Sequence, residues 1–226
     1  PLATTDDGSC IGTADAMGNT PKCWILWDGS TNTPFIENFD GPNYQILSSN
    51  NYPYCWYFLN NNGAGYYDGN AWPAQSFNDN WYGTLTGGSS NSPAVHSWFK
   101  PSLPNVNSIV FGPKDDFLFT PCMEFKATLN YKVTWEQKVC NANKPEILSV
   151  SLYSDTLGNL QPATYTGINS FPAINNTTMI QKTFNFTPAA DGNYHIGFHT
   201  TTPVQCTTSE HAKCCLYIDK VEIEKI

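Results

Sequence analysis

Along much of the chain apolar and polar residues alternate, the period of a strand with one face in a core. The clearest case is Ile218-Asp219-Lys220-Val221-Glu222-Ile223, where the alternation sets Asp219 on the strand's polar face or at its rim. Similar patterning predicts strands at 24–27, 33–39, 54–59, 107–111, 127–138, 147–154, 179–187, 194–200 and 214–226. The stretch Ala189-Ala190-Asp191-Gly192-Asn193 carries the Asp-Gly turn signal and joins two of these strands as a hairpin. No stretch has helical periodicity long enough to predict a helix. Strands of this number, separated by Gly- and Pro-rich turns, fit an all-β fold, a jelly-roll β-sandwich with long loops.

The segment 60–104 interrupts this rhythm. Asn60-Asn61-Asn62-Gly63 and Gly87-Gly88-Ser89-Ser90 read as loops, and between them stand Tyr66, Tyr67, Trp72, Phe77, Trp81 and Tyr82. Long aromatic loops on a rigid sandwich are candidate binding surfaces. Flat rings stack on the apolar faces of sugars, and Asp79 with its Asn and Gln neighbours matches ring hydroxyls in donor and acceptor character. Tyr66, Tyr67, Trp72, Asp79, Trp81 and Tyr82 are therefore the candidate ligand-binding residues, with a glycan or surface polymer as the expected partner. The competing reading is that the same rings cover a sandwich edge as a satellite core.

Composition narrows the function classes. The 226 residues include 13% charged and 14% aromatic residues, 16 Gly and 16 Pro, the profile of a turn-rich β protein large enough for one domain. A net charge of −8 with only 11 Lys plus Arg argues against nucleic acid as partner, because phosphate neutralisation needs clustered cations. No apolar run approaches the roughly 20 residues of a membrane helix. Eight cysteines without a CxxC spacing point to disulfides in an oxidising, extracellular compartment. Cys10 and Cys23 bracket the N-terminal segment, and Cys206 with Cys214 or Cys215 would close the loop before the last strand.

Acidic residues flank two apolar, strand-like runs: Asp115-Asp116 before Phe117-Leu118-Phe119, and Asp219 within the last strand. Together with Glu37 they offer the several hard oxygens that a calcium ion prefers, although paired acids are also ordinary in solvated turns. Catalysis has no comparable support. There is no G-x-S-x-G elbow, no H-E-x-x-H and no phosphate loop. His195 and His199 share one strand face, a position more typical of polar-face residues than of a metal pair, and His211 beside Cys214 and Cys215 resembles a zinc corner only superficially. The expectation is a non-enzymatic protein.

Phe35-Ile36-Glu37-Asn38-Phe39, Asp115-Asp116-Phe117-Leu118-Phe119-Thr120-Pro121, and the closing GNYHIGFHT and LYIDKVEI segments resemble, in order and spacing, the opening strand, acidic turn and closing strands of cleaved-adhesin or choice-of-anchor modules. These are MAM-like jelly rolls of secreted and cell-surface Bacteroidota proteins. The resemblance spans about residues 35 to 226 and implies a structural calcium site at Glu37, Asp116 (or Asp115) and Asp219. The family's closing pair is usually Asp-Asp, and here its second member is Lys220. The start, Pro1-Leu2-Ala3-Thr4-Thr5-Asp6-Asp7-Gly8-Ser9-Cys10, is similar to the tail of an N-Y-D-P-x-A-x-x-D-D-G-S-C segment that recurs in very large surface proteins. It implies that residues 1–23 are a connector, closed by a disulfide, and that 24–226 form the jelly roll of an excised or processed segment with neighbouring domains. Asp155-Thr156-Leu157 resembles a Bacteroidota O-glycosylation site, and is equally an ordinary turn.

The combined expectation is a calcium-pinned adhesion module at the cell surface. The alternatives are a ligand-free spacer of a surface filament, or an accessory domain of a secreted protease or glycosidase.

Overall fold

The computed structural model describes residues 25–39, 45–47, 50–52, 56–60, 65–67, 78–84, 94–100, 116–156, 159–162, 165–167, 170–202 and 215–226. All its regular elements are strands. In chain order they are β1 (Ile25–Asp28), β2 (Phe35–Glu37), β3 (Gln45–Leu47), β4 (Asn50–Tyr52), β5 (Tyr57–Asn60) and β6 (Gly65–Tyr67). They continue as β7 (Asn78–Thr84), β8 (Ala94–Lys100), β9 (Asp116–Phe119), β10 (Cys122–Phe125), β11 (Tyr131–Val139) and β12 (Glu146–Thr156). The last six are β13 (Asn159–Pro162), β14 (Tyr165–Gly167), β15 (Ser170–Ile174), β16 (Ile180–Pro188), β17 (Gly192–Thr200) and β18 (Cys215–Lys225). The candidate connector 1–23 and the expected strand at 107–111 lie outside the described residues.

Two nine-stranded sheets form a jelly-roll β-sandwich. The first runs β1-β10-β17-β9-β5-β6, with β12 also on β17 and carrying β13 and β15; the second runs β14-β16-β11-β18-β8-β7-β4-β3, with β2 added to β18. The β16–β17 hairpin falls where the Asp-Gly signal set it. Strands absent from the sequence reading are short ones, the polar β7 and its partner β8. Asn78–Thr84 pairs with Ala94–Lys100 at seven successive positions, so much of the segment read as loop is sheet. Asn, Asp and Gly disfavour strands locally, and long-range pairing overrides that preference. The acidic motif expected as a turn is β9, a strand held between β17 and β5. No turn follows it: after a break at Thr120 and Pro121, where proline has no N–H for the ladder, β10 continues along the same partner strand β17.

Strand β11 shows how the sequence makes its layer. Tyr131, Val133, Trp135, Gln137 and Val139 are buried at alternate positions, while Lys132, Glu136 and Lys138 lie towards solvent. Gln137 is the polar exception in this set. Its Oε1 accepts the Trp135 indole N–H at 2.8 Å, so the ring's donor is satisfied inside the core. Trp135 meets Phe198 of the opposite sheet edge-on at 5.6 Å and Phe171 at 5.0 Å. At one end of the sandwich Phe125 packs edge-on against Tyr131, Phe186 and Trp27, at 4.7, 5.2 and 5.7 Å. Fully burying side chains of this size contributes about 1.5–3 kcal/mol each.

That end also anchors both termini of the described chain. The Gly29 N–H donates to the Glu124 carbonyl, Lys225 Nζ donates to the Ser30 carbonyl and the Ile226 N–H donates to the Asn130 carbonyl. A Cβ on Gly29 would stand 2.6 Å from the Glu124 oxygen, which explains glycine there. The Asp28 carboxylate accepts the Ser30 N–H at 2.8 Å, and this bond lowers its pKa.

The last strand is fixed covalently by Cys140–Cys215, across 75 residues of sequence. This corrects the option that paired Cys206 with Cys215. Sequence adjacency favoured the short loop, but the β11–β18 ladder brings Cys140 to within 5.4 Å of Cys215 between Cα atoms. Cys122 is also disulfide-bonded, and among the described residues no cysteine is free. Cys10, Cys23, Cys206 and Cys214 lie outside the described residues.

Replacing both Cys140 and Cys215 by alanine should lower the unfolding free energy by about 4 kcal/mol, the loop-closure value for this separation. Urea titration checks it, and an unchanged midpoint would show that the bridge constrains nothing.

Candidate functional site

Glu37 ends β2, opposite Val221, and is half-buried. Its Oε1 accepts the N–H of Phe39 at 2.7 Å. This helps hold Phe39 in the left-handed region, φ 57°, and sends its ring into the core against Trp56 at 5.3 Å. Asp219 is fully buried, where the alternation had set it on the polar face. The reason is a β-bulge: Glu136 pairs with Asp219 and Thr134 with Glu222, so one residue too many lies in β18 between them. Lys220 there has φ 48°, its N–H donates to Asp219 Oδ1 at 2.8 Å, and its Nζ reaches Glu136 Oε1 at 3.1 Å. The side chain at 220 therefore turns to solvent, and a lysine at this position takes nothing away from the buried acids.

Asp116 opens β9 in the other sheet and is also fully buried. Its carbonyl accepts the Thr200 hydroxyl at 3.3 Å. Asp115 lies outside the described residues. Both β9 and β18 feed the same core, through Leu118 and Ile218. Two wholly buried carboxylates require compensation, since an ionised carboxylate leaves water only when it is paired, hydrogen-bonded or bound to a metal. Their hard oxygens suit calcium. Among the described residues, Glu37, Asp116 and Asp219 included, no three His, Cys, Asp or Glu side chains come together into a group that could hold a metal ion.

The aromatic candidates divide between the sheets. Tyr66 and Tyr67 lie on β6, the outermost strand of the first sheet on the β5 side. Asp79, Trp81 and Tyr82 lie on β7 in the second sheet, opposite Phe99, Ser97 and His96 of β8. The backbones of β5 and β9 approach β7, so β7 packs across from the side of the first sheet on which β6 flanks β5. Trp72 lies outside the described residues.

Sequence reasoning missed the outer face of the first sheet. One ladder row there runs Ser149, His199, Phe117, Leu59, Tyr66 across five strands, and the next runs Ser151, Gly197, Phe119, Tyr57. Phe117 stacks on Phe119 at 5.3 Å and on the His199 ring at 3.7 Å, and Tyr153 meets both phenylalanines edge-on. Phe117, Phe119 and Tyr153 form a cluster separate from the main core and are buried. Part of the signal was present in the sequence as the unbroken apolar run Phe117-Leu118-Phe119, and in the structure all four residues of β9 are buried.

Gly197 makes the cluster possible. A Cβ there would stand 2.5 Å from the Tyr153 ring and 2.8 Å from Phe119, so only glycine lets Tyr153 lie across β17. His195 and His199 share this face as the spacing predicts. His195 is buried and its Nδ1–H donates to the Thr120 carbonyl at 2.6 Å, while Thr120 Oγ1 accepts the Ile196 N–H at 3.0 Å. These are structural roles: the pair clamps the β9–β10 junction to β17.

The sequence matches no protein-family model, and no curated protein is similar to it. Solved structures are. The K1 cleaved adhesin domain of Lys-gingipain from Porphyromonas gingivalis W83 is 18% identical, with 85% of this chain and 98% of that domain covered, at a TM-score of 0.47. The arabinose-bound MgGH51 α-L-arabinofuranosidase is 10% identical at a TM-score of 0.52, over 87% of this chain and 27% of the enzyme. The CBM22-2 xylan-binding domain of Paenibacillus barcinonensis Xyn10C is 12% identical, with 85% and 99% covered, at 0.46. At these identities the likeness is one of fold.

Gly197→Ala should cost about 1–3 kcal/mol, the usual penalty for overpacking between rigid rings. A denaturant midpoint equal to that of the wild type would mean that Tyr153 does not rest on the glycine.

Proposed function

We propose that the chain is a non-enzymatic, extracellular adhesion module of a larger surface protein, holding a glycan or other surface polymer at the β5–β6–β7 margin, with calcium as a structural ion. The observation that carries the reading is that the strands bearing Tyr66 and Tyr67 (β6) and Asp79, Trp81 and Tyr82 (β7) both adjoin β5, the first within its sheet and the second from the opposite one. Rings in such a position supply stacking area, and carboxylate and amide groups supply hydroxyl partners. The disulfides favour an oxidising compartment, and the negative charge disfavours nucleic acid. No helix among the described residues is long and apolar enough to cross a membrane. The fold shared with a cleaved adhesin domain and a xylan-binding domain is compatible with this assignment and does not itself supply a ligand.

Calcium would be held by Asp116 and Asp219, with Glu37 and Asp115 as further candidates. Bound there, the ion would supply positive charge to carboxylates that have left water, tying β9 of one sheet to β18 of the other. Such an ion stabilises the folded state because the unfolded chain offers no preformed cage.

A second reading, a ligand-free spacer, has one observation in its favour. The aromatic rings described on the outer face of the first sheet, Phe117, Phe119 and Tyr153, are buried and serve packing. In that reading the margin rings do the same.

Two measurements decide. On a glycan array the wild type should bind at least one polymer class, and Tyr66→Ala or Trp81→Ala should each weaken it about tenfold, equivalent to about 1.4 kcal/mol per ring. Absence of any binding by the wild type would leave the spacer. Thermal unfolding in calcium at about 100 times Kd should show stabilisation of about 2.7 kcal/mol over EGTA, and Asp219→Ala should abolish the difference. Identical melting of the wild type in both buffers would remove calcium from the assignment.

A further inference from the structure

Ladder register orders what stands on the outer face of the second sheet. In β18 Leu216 and Ile218 are buried in the main core, so Tyr217 between them belongs to the outer face. Its partner on β11 is Lys138, likewise flanked by two buried residues, Gln137 and Val139. The Lys138 ammonium stands over the Tyr217 ring, 5.1 Å from its centroid, and both residues are half-buried. From this pair the register continues across the sheet: Tyr217 opposes His96 of β8, and His96 opposes Tyr82 of β7. Asn51 of β4 pairs with Gly83 in antiparallel fashion, which puts Tyr52 opposite Tyr82.

One row therefore crosses five neighbouring strands, β11-β18-β8-β7-β4, as Lys138, Tyr217, His96, Tyr82 and Tyr52. At about 4.8 Å between strands it is about 19 Å long, room for a chain of several sugar rings rather than for one. Asp79 and Trp81 are not part of it. They take the alternate places on β7, in register with Phe99 and Ser97, on the side of the sheet that meets β5 and β9.

Charge selects the occupant. The chain carries a net −8, yet the outer-face positions of β7, β8 and the Cys215–Ile218 part of β18 include no Asp or Glu, while Lys138, His96 and Lys100 hold such positions. The nearest outer-face acid on β11, Glu136, is engaged by the Lys220 ammonium at 3.1 Å. A strip of cations and aromatic rings without carboxylates, on a protein that is otherwise acidic, is complementary to a ligand that is itself anionic. Rings stack on sugar faces, and an ammonium meets a carboxylate or sulfate.

We infer that this row binds an extended anionic polysaccharide, with Tyr217 as a stacking ring and Lys138 as the residue that selects a charged sugar. The surface goes beyond the assignment above: it lies on the outer face of the second sheet, takes a narrower ligand class and shares only Tyr82 with the candidates named there.

The test is titration calorimetry of the full chain with polygalacturonate, alginate, hyaluronan and heparin, with dextran as the neutral control. The wild type should bind at least one of the four more tightly than dextran, with an affinity that falls as salt is raised. Tyr217→Ala and Lys138→Gln should each weaken that binding about tenfold, and Lys138→Gln should also flatten its salt dependence. If Tyr217→Ala does not melt cooperatively, Lys138→Gln, a change at a half-buried outer-face position, decides alone. Failure of the wild type to bind any of the four polymers, or wild-type affinity in a folded variant, overturns the inference. Binding of dextran that is weakened by Tyr66→Ala or Trp81→Ala and untouched by Tyr217→Ala would overturn it while leaving the assignment above in place. Anionic-polymer binding lost in Tyr217→Ala and kept in Tyr66→Ala would uphold this row by itself.

Discussion

Trp135 is where the two sheets are locked to each other. Among the described residues it is the largest fully buried side chain, it meets Phe198 of the opposite sheet edge-on, and its only polar atom is satisfied by Gln137 two residues along the same strand. Because Trp135 must point inwards, the register of β11 against β16 and β18 is fixed, and a slip of one residue would turn the whole inward set to solvent. The β18 bulge sits directly opposite this residue. An insertion that would otherwise shift the register is absorbed there, with Val221 and Ile223 returned to the core beyond it.

The rest of the architecture follows from that closure. β17 is the central strand of its sheet, pairing with β10 and β9 on one side and β12 on the other, and it is buried on both faces from Tyr194 to Phe198. Inward it contributes Ile196 and Phe198 to the core, and outward it carries His195, Gly197 and His199 beneath a second aromatic layer. The outer layer runs by ladder register towards β5 and β6, the margin proposed to receive a ligand. The strands proposed to receive a ligand and the buried acids are therefore mounted on a packed frame, the arrangement that positions side chains in advance.

The sequence reading recovered the strands with strong apolar patterning and missed those without it. β11, β12, β16, β17 and β18 fall close to their expected limits, each shifted by a few residues at the ends. β7 was missed because Asn, Asp and Gly dominate it, and β8, although richer in apolar residues, was missed with the partner it pairs to, a pairing that has no signature in a single local window. The resemblance implied a turn at the acidic motif, whereas the strand-like run Phe117-Leu118-Phe119 beside it proved to be part of β9, buried throughout. For the site, the identity of the acids was legible and their burial was not. Asp219 looked like a polar-face residue because Asp219 and Lys220 were counted as ordinary strand positions.

By itself the sequence determined the class of the fold, an all-β sandwich, since period-two patterning with frequent turn residues excludes helices. It also determined which residue types are available for chemistry: acids with hard oxygens, aromatic rings and cysteines, without a catalytic constellation. Only the tertiary structure decided that Cys140 joins Cys215, that Asp116 and Asp219 are buried, and that β6 and β7 both adjoin β5. The physical reason is that these are relations between strands distant along the chain. They are set by ladder register and by one inserted residue, and neither is encoded in the local alternation from which a sequence is read.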